Sequence, residues 1–600
     1  MTARQPLRLW PGVIAAILLC VLRFAVPPLA PGLAFYAAIG ALACALAILV
    51  WWVFFSRALW LERVGALVLM VVALLVTWPF VHISIRTAMM GNMLPIYAIF
   101  ILTPALVLWA VATRNRSDGT RRIALMATLL LASGSFTLLR TGGIRGGGSE
   151  LAWRWSETPE ERLLAQTANE PVNLPQPASI ASPTPVAEEP TPAARAHVAP
   201  APATELSAPA LSAKPEWPGF RGPDRDGVVH GAPINTDWTS SPPVQMWHRQ
   251  VGPGWSSFAV SGDLLYTQEQ RGEDEIIACY RVGNGQPVWM HRDKARFWES
   301  NGGAGPRATP TLSSGRVYAF GATGLLNVLN SANGAAIWKR DVASDASQKT
   351  PMWGFSSSPL VIGNLVVVAA SGKLAAYDIA SGKPRWFGPD RPGSYSSPHR
   401  VTVDGVEQIL LLTAAGATSV APEDGTVLWE YTWPEGTTIV QPALTADGDI
   451  LINALAATGG LGVRRLNVTH GSAGWTVTER WTSTGLKPYF NDFVVHKGYA
   501  YGFDGSILSC IDLEDGKRKW KGGRYGDGQL VLLADQDLIF VVSEEGDLAL
   551  VKATPDQFSE VARFKAIDGK TWNHPVLVRD TLLVRNGEEM AAFKLALERR

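Results

Sequence analysis

The sequence predicts an all-β, eight-bladed propeller preceded by an α-helical membrane domain of about five transmembrane helices. Three observations lead there. Long apolar runs are confined to the first 145 residues, a Pro-rich stretch follows, and a Trp then recurs at intervals of 39 to 52 residues to the end of the chain. At 600 residues the chain is too long for one core, since single cores rarely grow beyond roughly 250–300 residues.

The first part is basic and apolar. Residues 1–145 hold twelve Arg, no Lys, and two acids, Glu62 and Asp118. Five runs, roughly 9–29, 33–55, 64–85, 93–112 and 121–139, approach the ~20 apolar residues that cross a bilayer as helix. The basic residues then set orientation. Arg4, Arg8, Arg57, Arg63, Arg114, Arg116, Arg121 and Arg122 fall on one side, and the alternate loops hold only Arg86. The N-terminus is therefore expected in the cytoplasm of a bacterial inner membrane. Five crossings would place the rest of the chain in the periplasm. Arg23 interrupts the first run near one end, where snorkelling to the interface is expected. Trp51, Trp52, Trp60, Trp78 and Trp109 lie near run ends, as an aromatic belt would place them.

Residues 171–215 contain eleven Pro among Ala, Ser, Thr and Glu. Such a composition cannot bury enough apolar surface to fold and favours extended polyproline II. The expected organisation is a membrane domain at 1–145, a Pro/Ala-rich disordered linker at 146–215, and the propeller at 216–600.

The repeat reads as short β runs separated by Gly turns and closed by Trp. One copy is Ser358-Pro359-Leu360, Asn364 to Val368, Ser371-Gly372-Lys373-Leu374, Ala376-Tyr377-Asp378, Ser381-Gly382-Lys383 and Trp386. The closing aromatics are Trp247, Trp289, Trp338, Trp386, Trp429, Trp481, Trp520 and Phe564. A 40–50-residue period with four strands per unit is a propeller signature. Trp247 precedes the first complete repeat and the last repeat lacks a closing strand. Residues near 244–250 are therefore expected to close the ring as the outer strand of the last blade, leaving no free edge. Cys279 and Cys510 fall at equivalent positions of different blades, too far apart for a disulfide.

This pattern resembles the PQQ-like β-propeller repeat, Ala-x-Asp-x-x-x-Gly-x-x-x-Trp, shared by quinoprotein dehydrogenases and the outer-membrane-assembly propeller lipoprotein. The segments Trp217-Pro218-Gly219-Phe220-Arg221-Gly222-Pro223, Arg225-Asp226-Gly227, Gly305 to Pro310, Trp353-Gly354-Phe355, Tyr395 to His399, Tyr525 to Gln529, Gly569 to Pro575 and Leu583 to Asn586 are similar to bacterial PQQ-binding-like β-propeller repeat proteins. The layout of helices, linker and propeller resembles membrane-bound quinoprotein glucose dehydrogenase.

Function is expected at a channel mouth, on the loops that enter the inner strands. The resemblance implies a quinone-cofactor site built from aromatic stacking, cationic side chains, calcium ligands and an Asp base. On that reading Asp492 and His574 are the candidate catalytic residues, with His399 a further proton carrier. Arg307, Trp353, Asn491 and Asn573 are the candidate cofactor-binding residues for PQQ with Ca2+, and no metal ligand set is assigned. The chain lacks a vicinal Cys pair and a Cys-x-x-Cys-His haem motif, so electrons would pass to membrane quinone. Two functions stand open. One is a membrane-anchored binding or scaffold module for envelope proteins. The other is a PQQ-dependent alcohol or sugar dehydrogenase. No basic block suggests a nucleic-acid partner.

Overall fold

A computed structural model describes residues 8–30, 33–145, 148–167, 214–433, 436–456 and 459–598. Most of the Pro-rich stretch, and Arg4, lie outside the described residues. The chain forms two compact units. One is Met1–Thr158 with Trp298–Gly303, and the other is Pro159–Phe297 with Ala304–Arg600.

Among the described residues of the first unit, four helices are long and apolar enough to cross a membrane: Trp10–Leu29, Tyr36–Phe55, Trp60–Phe80 and Met93–Ala112. The fifth expected run forms the shorter helix Asp118–Gly134, continued by a 3-10 turn at Ser135–Leu138. Its first turn carries Asp118, Arg121 and Arg122, which shortens the apolar part. It is nevertheless packed among the others. Ser133 Oγ and Thr77 Oγ1 are 2.6 Å apart, and Arg121 pairs with Glu62 at 3.5 Å with both side chains buried. Arg23 lies over Tyr97 and Phe100, its guanidinium 5.3 and 5.6 Å from the ring centroids. The expected Trp belt divides in two. Trp60 and Trp78 are exposed, whereas Trp51, Trp52 and Trp109 are buried, where their indole N–H groups donate to Arg8 O, Arg63 O and Arg121 O. Buried indoles need such acceptors, and the carbonyls near the helix ends provide them.

Residues expected as linker begin folded. A hairpin pairs Leu139–Arg145 with Gly148–Trp153, and Pro159–Thr167 forms a helix. That helix belongs to the second unit and lies against the first blade. Glu160 accepts from Gly272 N at 2.8 Å and pairs with Arg296 at 2.8 Å, while Leu163 is buried.

The second unit is an eight-bladed propeller. Blades 1 to 7 have their inner strands at Ala259–Ser261, Thr311–Ser313, Leu360–Ile362, His399–Val403, Ala443–Leu444, Val494–His496 and Gln529–Leu533, each followed by three antiparallel strands. Blade 8 has three C-terminal strands, Val576–Val578, Thr581–Arg585 and Glu589–Lys594, and takes its outer strand from Val244–Gln250. The ring is thus closed by the residues the sequence indicated. Cys279 and Cys510 lie on the third strands of blades 1 and 6 and are free.

The recurring Trp is a wedge between blades. Trp338, on the outer strand of blade 2, donates its indole N–H to Ile379 O of blade 3 and packs against Gly382. That glycine has φ +68°, and a methyl there would stand 2.6 Å from the indole. The same pairing joins Trp247 to Gly285, Trp289 to Gly334, Trp386 to Gly425 and Trp481 to Gly516. Asp378 opens the turn by accepting from Ala380 N and Ser381 N, which the Asp-x-x-x-Gly spacing anticipates. Trp429 departs from the pattern, because blade 5 replaces the Gly turn with the long hairpin Gly459–Gly471 to Gly474–Ser483. Its indole turns instead to Gln408 in its own blade, at 2.7 Å.

Gly382→Ala should combine left-handed strain of about 1–2 kcal/mol with overpacking of about 1–3 kcal/mol. A loss of about 2–4 kcal/mol is expected in chemical denaturation of the purified protein. Gly363→Ala in the same blade, also at positive φ but with nothing within 4 Å, should lose only the strain component. Equal losses would contradict the wedge.

Candidate functional site

Eight inner strands gather around one axis, and each is entered through a polar residue at its first position or two positions before it: Ser257, Thr309, Ser358, Ser397, Gln441, Asp492, Gln529 and His574. Five of these precede Pro, which fixes φ as the strand starts. The polar residues bond from blade to blade. Ser257 N donates to Thr309 Oγ1 at 2.9 Å, Thr309 N to Ser358 Oγ at 3.0 Å, and Ser358 N to Ser397 Oγ at 2.9 Å. The Gln441 amide, oriented to satisfy its neighbours, accepts from Ser397 N at 3.0 Å and donates to Ser397 O at 2.9 Å. Gln441 N then donates to Asp492 Oδ1 at 3.2 Å, and Asp492 N to Gln529 Oε1 at 3.3 Å. Blade 8 is tied in twice, because Ser257 Oγ donates to His574 O at 2.7 Å and His574 Nε2 donates to Asp492 Oδ2 at 2.8 Å.

The structure therefore brings Asp492 and His574 together, and both are buried. It also supplies a partner that the residue pattern did not reveal. The segment Trp217–Val229 reaches the inner strands of blades on both sides of the axis. Trp217 bridges to Val260 of blade 1, Pro218 O accepts from Leu312 N of blade 2, and Val228–Val229 pairs parallel with Leu532–Leu533 of blade 7. Two arginines of this segment, each at φ near +60°, enter the hub. Arg221 stands 3.5 Å from Asp492 Oδ2 and donates to Phe493 O and Asp226 O, both at 2.8 Å. Arg225 donates to Pro359 O at 2.9 Å and Ser358 O at 3.0 Å. The available signal was two Arg set among Gly, Pro and Asp turn residues, a composition that reads as an exposed loop.

Charges are tuned by this crowding. Burial works to raise the Asp492 carboxyl, but Arg221 and His574 overcome it and hold it below the usual range. Burial, with Arg225 and Arg221 nearby, pushes His399 down to about 3, so this imidazole is neutral. Burial beside Arg221 brings Arg225 down to about 10. At the rim, burial beside Glu544 pushes Asp527 up to about 7.

The candidate cofactor residues separate into two sectors. Arg307 Nε donates to Trp353 O at 3.1 Å, and its guanidinium lies 5.0 Å from the Phe297 ring centroid. Trp353 packs on Tyr395 at 4.8 Å. In the other sector Asn491 Oδ1 accepts from Tyr489 N at 2.9 Å, and Asn573 Nδ2 donates to Ser256 O at 2.7 Å; both side chains are buried. Among the described residues no group of three or more His, Cys, Asp or Glu is arranged to hold a metal. The rim itself is aromatic. Trp572 packs on Trp255 at 4.7 Å and on Phe490 at 4.8 Å, with Lys570 Nζ 4.6 Å from its ring centroid.

A family model described as outer membrane protein assembly factor BamB matches residues 273–522. The Yersinia pestis outer membrane protein assembly factor BamB is 22% identical over 342 residues, which is 54% of this chain and 74% of that protein. Among solved structures, BamB from Moraxella catarrhalis covers 60% of this chain and 99% of its own at 15% identity and a TM-score of 0.44. A quinohemoprotein alcohol dehydrogenase from Comamonas testosteroni covers 65% of this chain and 82% of its own at 12% identity and a TM-score of 0.45.

Asp492→Ala leaves the Arg221 charge uncompensated in the hub and should cost about 3–5 kcal/mol of stability, read by denaturant unfolding. A cost below about 1 kcal/mol, the range of exposed ion pairs, would contradict the buried pairing. His399 sets a pH dependence. Its folded pKa lies below the ~6.5 of an unfolded His, so its contribution is present above about pH 6.5 and is lost as pH falls toward 3. His399→Gln should therefore flatten the acid limb of stability by up to about 1.4 kcal/mol per pH unit between about pH 6 and 4. Parallel limbs for the two proteins would refute the assignment.

Proposed function

We propose that this PQQ-like β-propeller protein is a non-catalytic binding module of the cell envelope, tethered to the inner membrane with its propeller in the periplasm. One observation carries the reading. Asp492 and His574, the candidate acid–base pair, occupy the hub ring at positions that other blades fill with Ser, Thr or Gln, and their polar atoms are engaged there with Gln441, Arg221 and each other. A general base needs reach to a substrate proton, and both side chains are instead committed inside the propeller.

Recognition then belongs to the rim. Trp255, Trp572, Phe490, Trp353 and Tyr395, with Lys570 and Arg307 beside them, include the Trp, Tyr and Arg that dominate protein–protein hot spots. An envelope protein is the partner this chemistry favours. The Yersinia pestis relative is an outer membrane protein assembly factor, which points the same way. For orientation, support comes from the loop arginines and from counting the helix Asp118–Gly134 with its 3-10 extension as a fifth crossing. At about 1.5 Å per helical residue and 2.0 Å per 3-10 residue, the apolar part from Ile123 to Leu138 spans about 26 Å, close to the ~30 Å of a bilayer core.

The dehydrogenase alternative is separated by one experiment. The full chain is incubated with PQQ and Ca2+, then assayed for retained quinone absorbance and for dye reduction with alcohols and aldoses. Neither retention nor turnover is expected. Stoichiometric PQQ with turnover would replace the binding reading by the enzymatic one. A phosphatase reporter fused after Arg600 should be active, which requires export. An inactive phosphatase with a fluorescent cytoplasmic reporter at the same position would reverse the orientation.

A further inference from the structure

Among the described residues of the helical unit, four cationic or titratable side chains meet without a carboxylate. A cavity of ≈ 760 Å³ is lined by Phe80, Val81, His82, Ile83, Arg86 and Arg154, among others. Arg140 stands close enough to act on His82, as do Arg154 and Arg86. Burial and these three charges lower the imidazole's pKa, and no acid acts on it from the opposite direction. The guanidinium Nε atoms of Arg86 and Arg140 are buried without a hydrogen-bond partner. Arg140 otherwise donates to Ser156 O and Glu157 O, and Arg154 to Phe80 O, so both are held by neutral carbonyls.

The imidazole is oriented as a donor. Ser84 N donates to His82 Nδ1 at 3.2 Å, and Ser84 Oγ lies 2.8 Å from the same nitrogen. That hydroxyl accepts from Thr141 N at 2.9 Å, so its own proton goes to Nδ1 and the ring proton is left on Nε2. Three guanidiniums and an N–H donor grouped beside apolar surface repel one another unless an anion joins them.

The location narrows the ligand. Arg63 and the other loop arginines stand at the opposite end of the Trp60–Thr77 helix from Phe80. Arg86, Arg140 and Arg154 therefore work against the charge bias that would orient the helices. Phe80 and Ile83 are 65% and 45% exposed, and Trp153 stacks on Trp155 at 5.4 Å with both rings exposed. Such aromatic and apolar surface beside cations is what the head-group level of a bilayer accommodates. We propose that this cavity binds a phosphate group through Arg86, Arg140, Arg154 and His82, presented by an anionic lipid head group or as free inorganic phosphate.

The test uses the full chain in detergent, titrated separately with dioleoyl phosphatidylglycerol, with dioleoylglycerol, which lacks the phosphate, and with sodium phosphate. Binding is read by native mass spectrometry and by the shift in melting temperature. Saturable binding of phosphatidylglycerol but not dioleoylglycerol, weakened about tenfold by Arg86→Gln with Arg140→Gln, supports the site and assigns it to lipid. Saturable binding of sodium phosphate with the same sensitivity, and none of the lipid, supports it with a soluble anion. Arg154→Gln, at an exposed side chain that makes a single bond to Phe80 O, should weaken either ligand about threefold, and an unchanged circular-dichroism spectrum checks that the variants are folded. No saturable binding of either phosphate ligand, or binding indifferent to Arg154→Gln, overturns the proposal.

Discussion

Eight sheets that share one axis bring eight strand starts into a space with little room for water, and each start carries an amide that must find an acceptor. An unbonded buried amide costs about 1–3 kcal/mol, so the hub cannot be left to chance. The solution here is a side chain from the next blade at each step, from Ser257 through Thr309, Ser358, Ser397, Gln441 and Asp492 to Gln529. The arrangement makes each blade's geometry depend on its neighbour's, and it takes up polar groups that a catalytic channel would otherwise use.

The rest of the propeller is organised around that hub. The Trp–Gly wedges fix the spacing of the blades farther out, and Val244–Gln250 closes the ring. The closing seam is reinforced by Arg585 of blade 8. Its buried guanidinium donates to Gln268 O of blade 1 at 3.0 Å and to Gly252 O at 3.2 Å. Across the axis, Arg221 and Arg225 carry the chain that follows the Pro-rich stretch into the hub. Their charges are held there by Asp492, which faces the first, and by carbonyls that accept from both terminal nitrogens of the second. On the proposed binding reading, the aromatic rim is the surface with chemistry to offer a partner.

Much of this was legible in the residues. The blade count, the closing strand and the role of the Trp follow from a strict spacing in which one aromatic and one glycine recur together, because the contact they make recurs. Asp492 and His574 could be picked as polar residues at strand starts, and they do meet. Their setting was harder to read. Ser, Thr, Gln, Asp and His perform the same bonding task at equivalent positions, so residue type alone does not separate a catalytic pair from a structural one. Arg221 and Arg225 were hidden for a different reason, since burial of a charge depends on acceptors more than a hundred residues away. The strand Gly148–Trp153 and the helix Pro159–Thr167, expected as linker, were missed because both are too short and polar to show a periodic apolar face in the residues. The helix Asp118–Gly134 ends before its apolar run does because the chain tightens into a 3-10 turn at Ser135–Leu138.

The measurement that bears most directly on the hub is hydrogen–deuterium exchange of the full chain under native conditions, resolved to the amides of Thr309, Ser358, Gln441 and Asp492. These donate to neighbouring blades, and they should exchange as slowly as the central strands, through global opening of the propeller. Fast exchange at these amides in an otherwise protected propeller would contradict the account. It would mean a loose, hydrated hub whose polar groups are free for ligand or substrate.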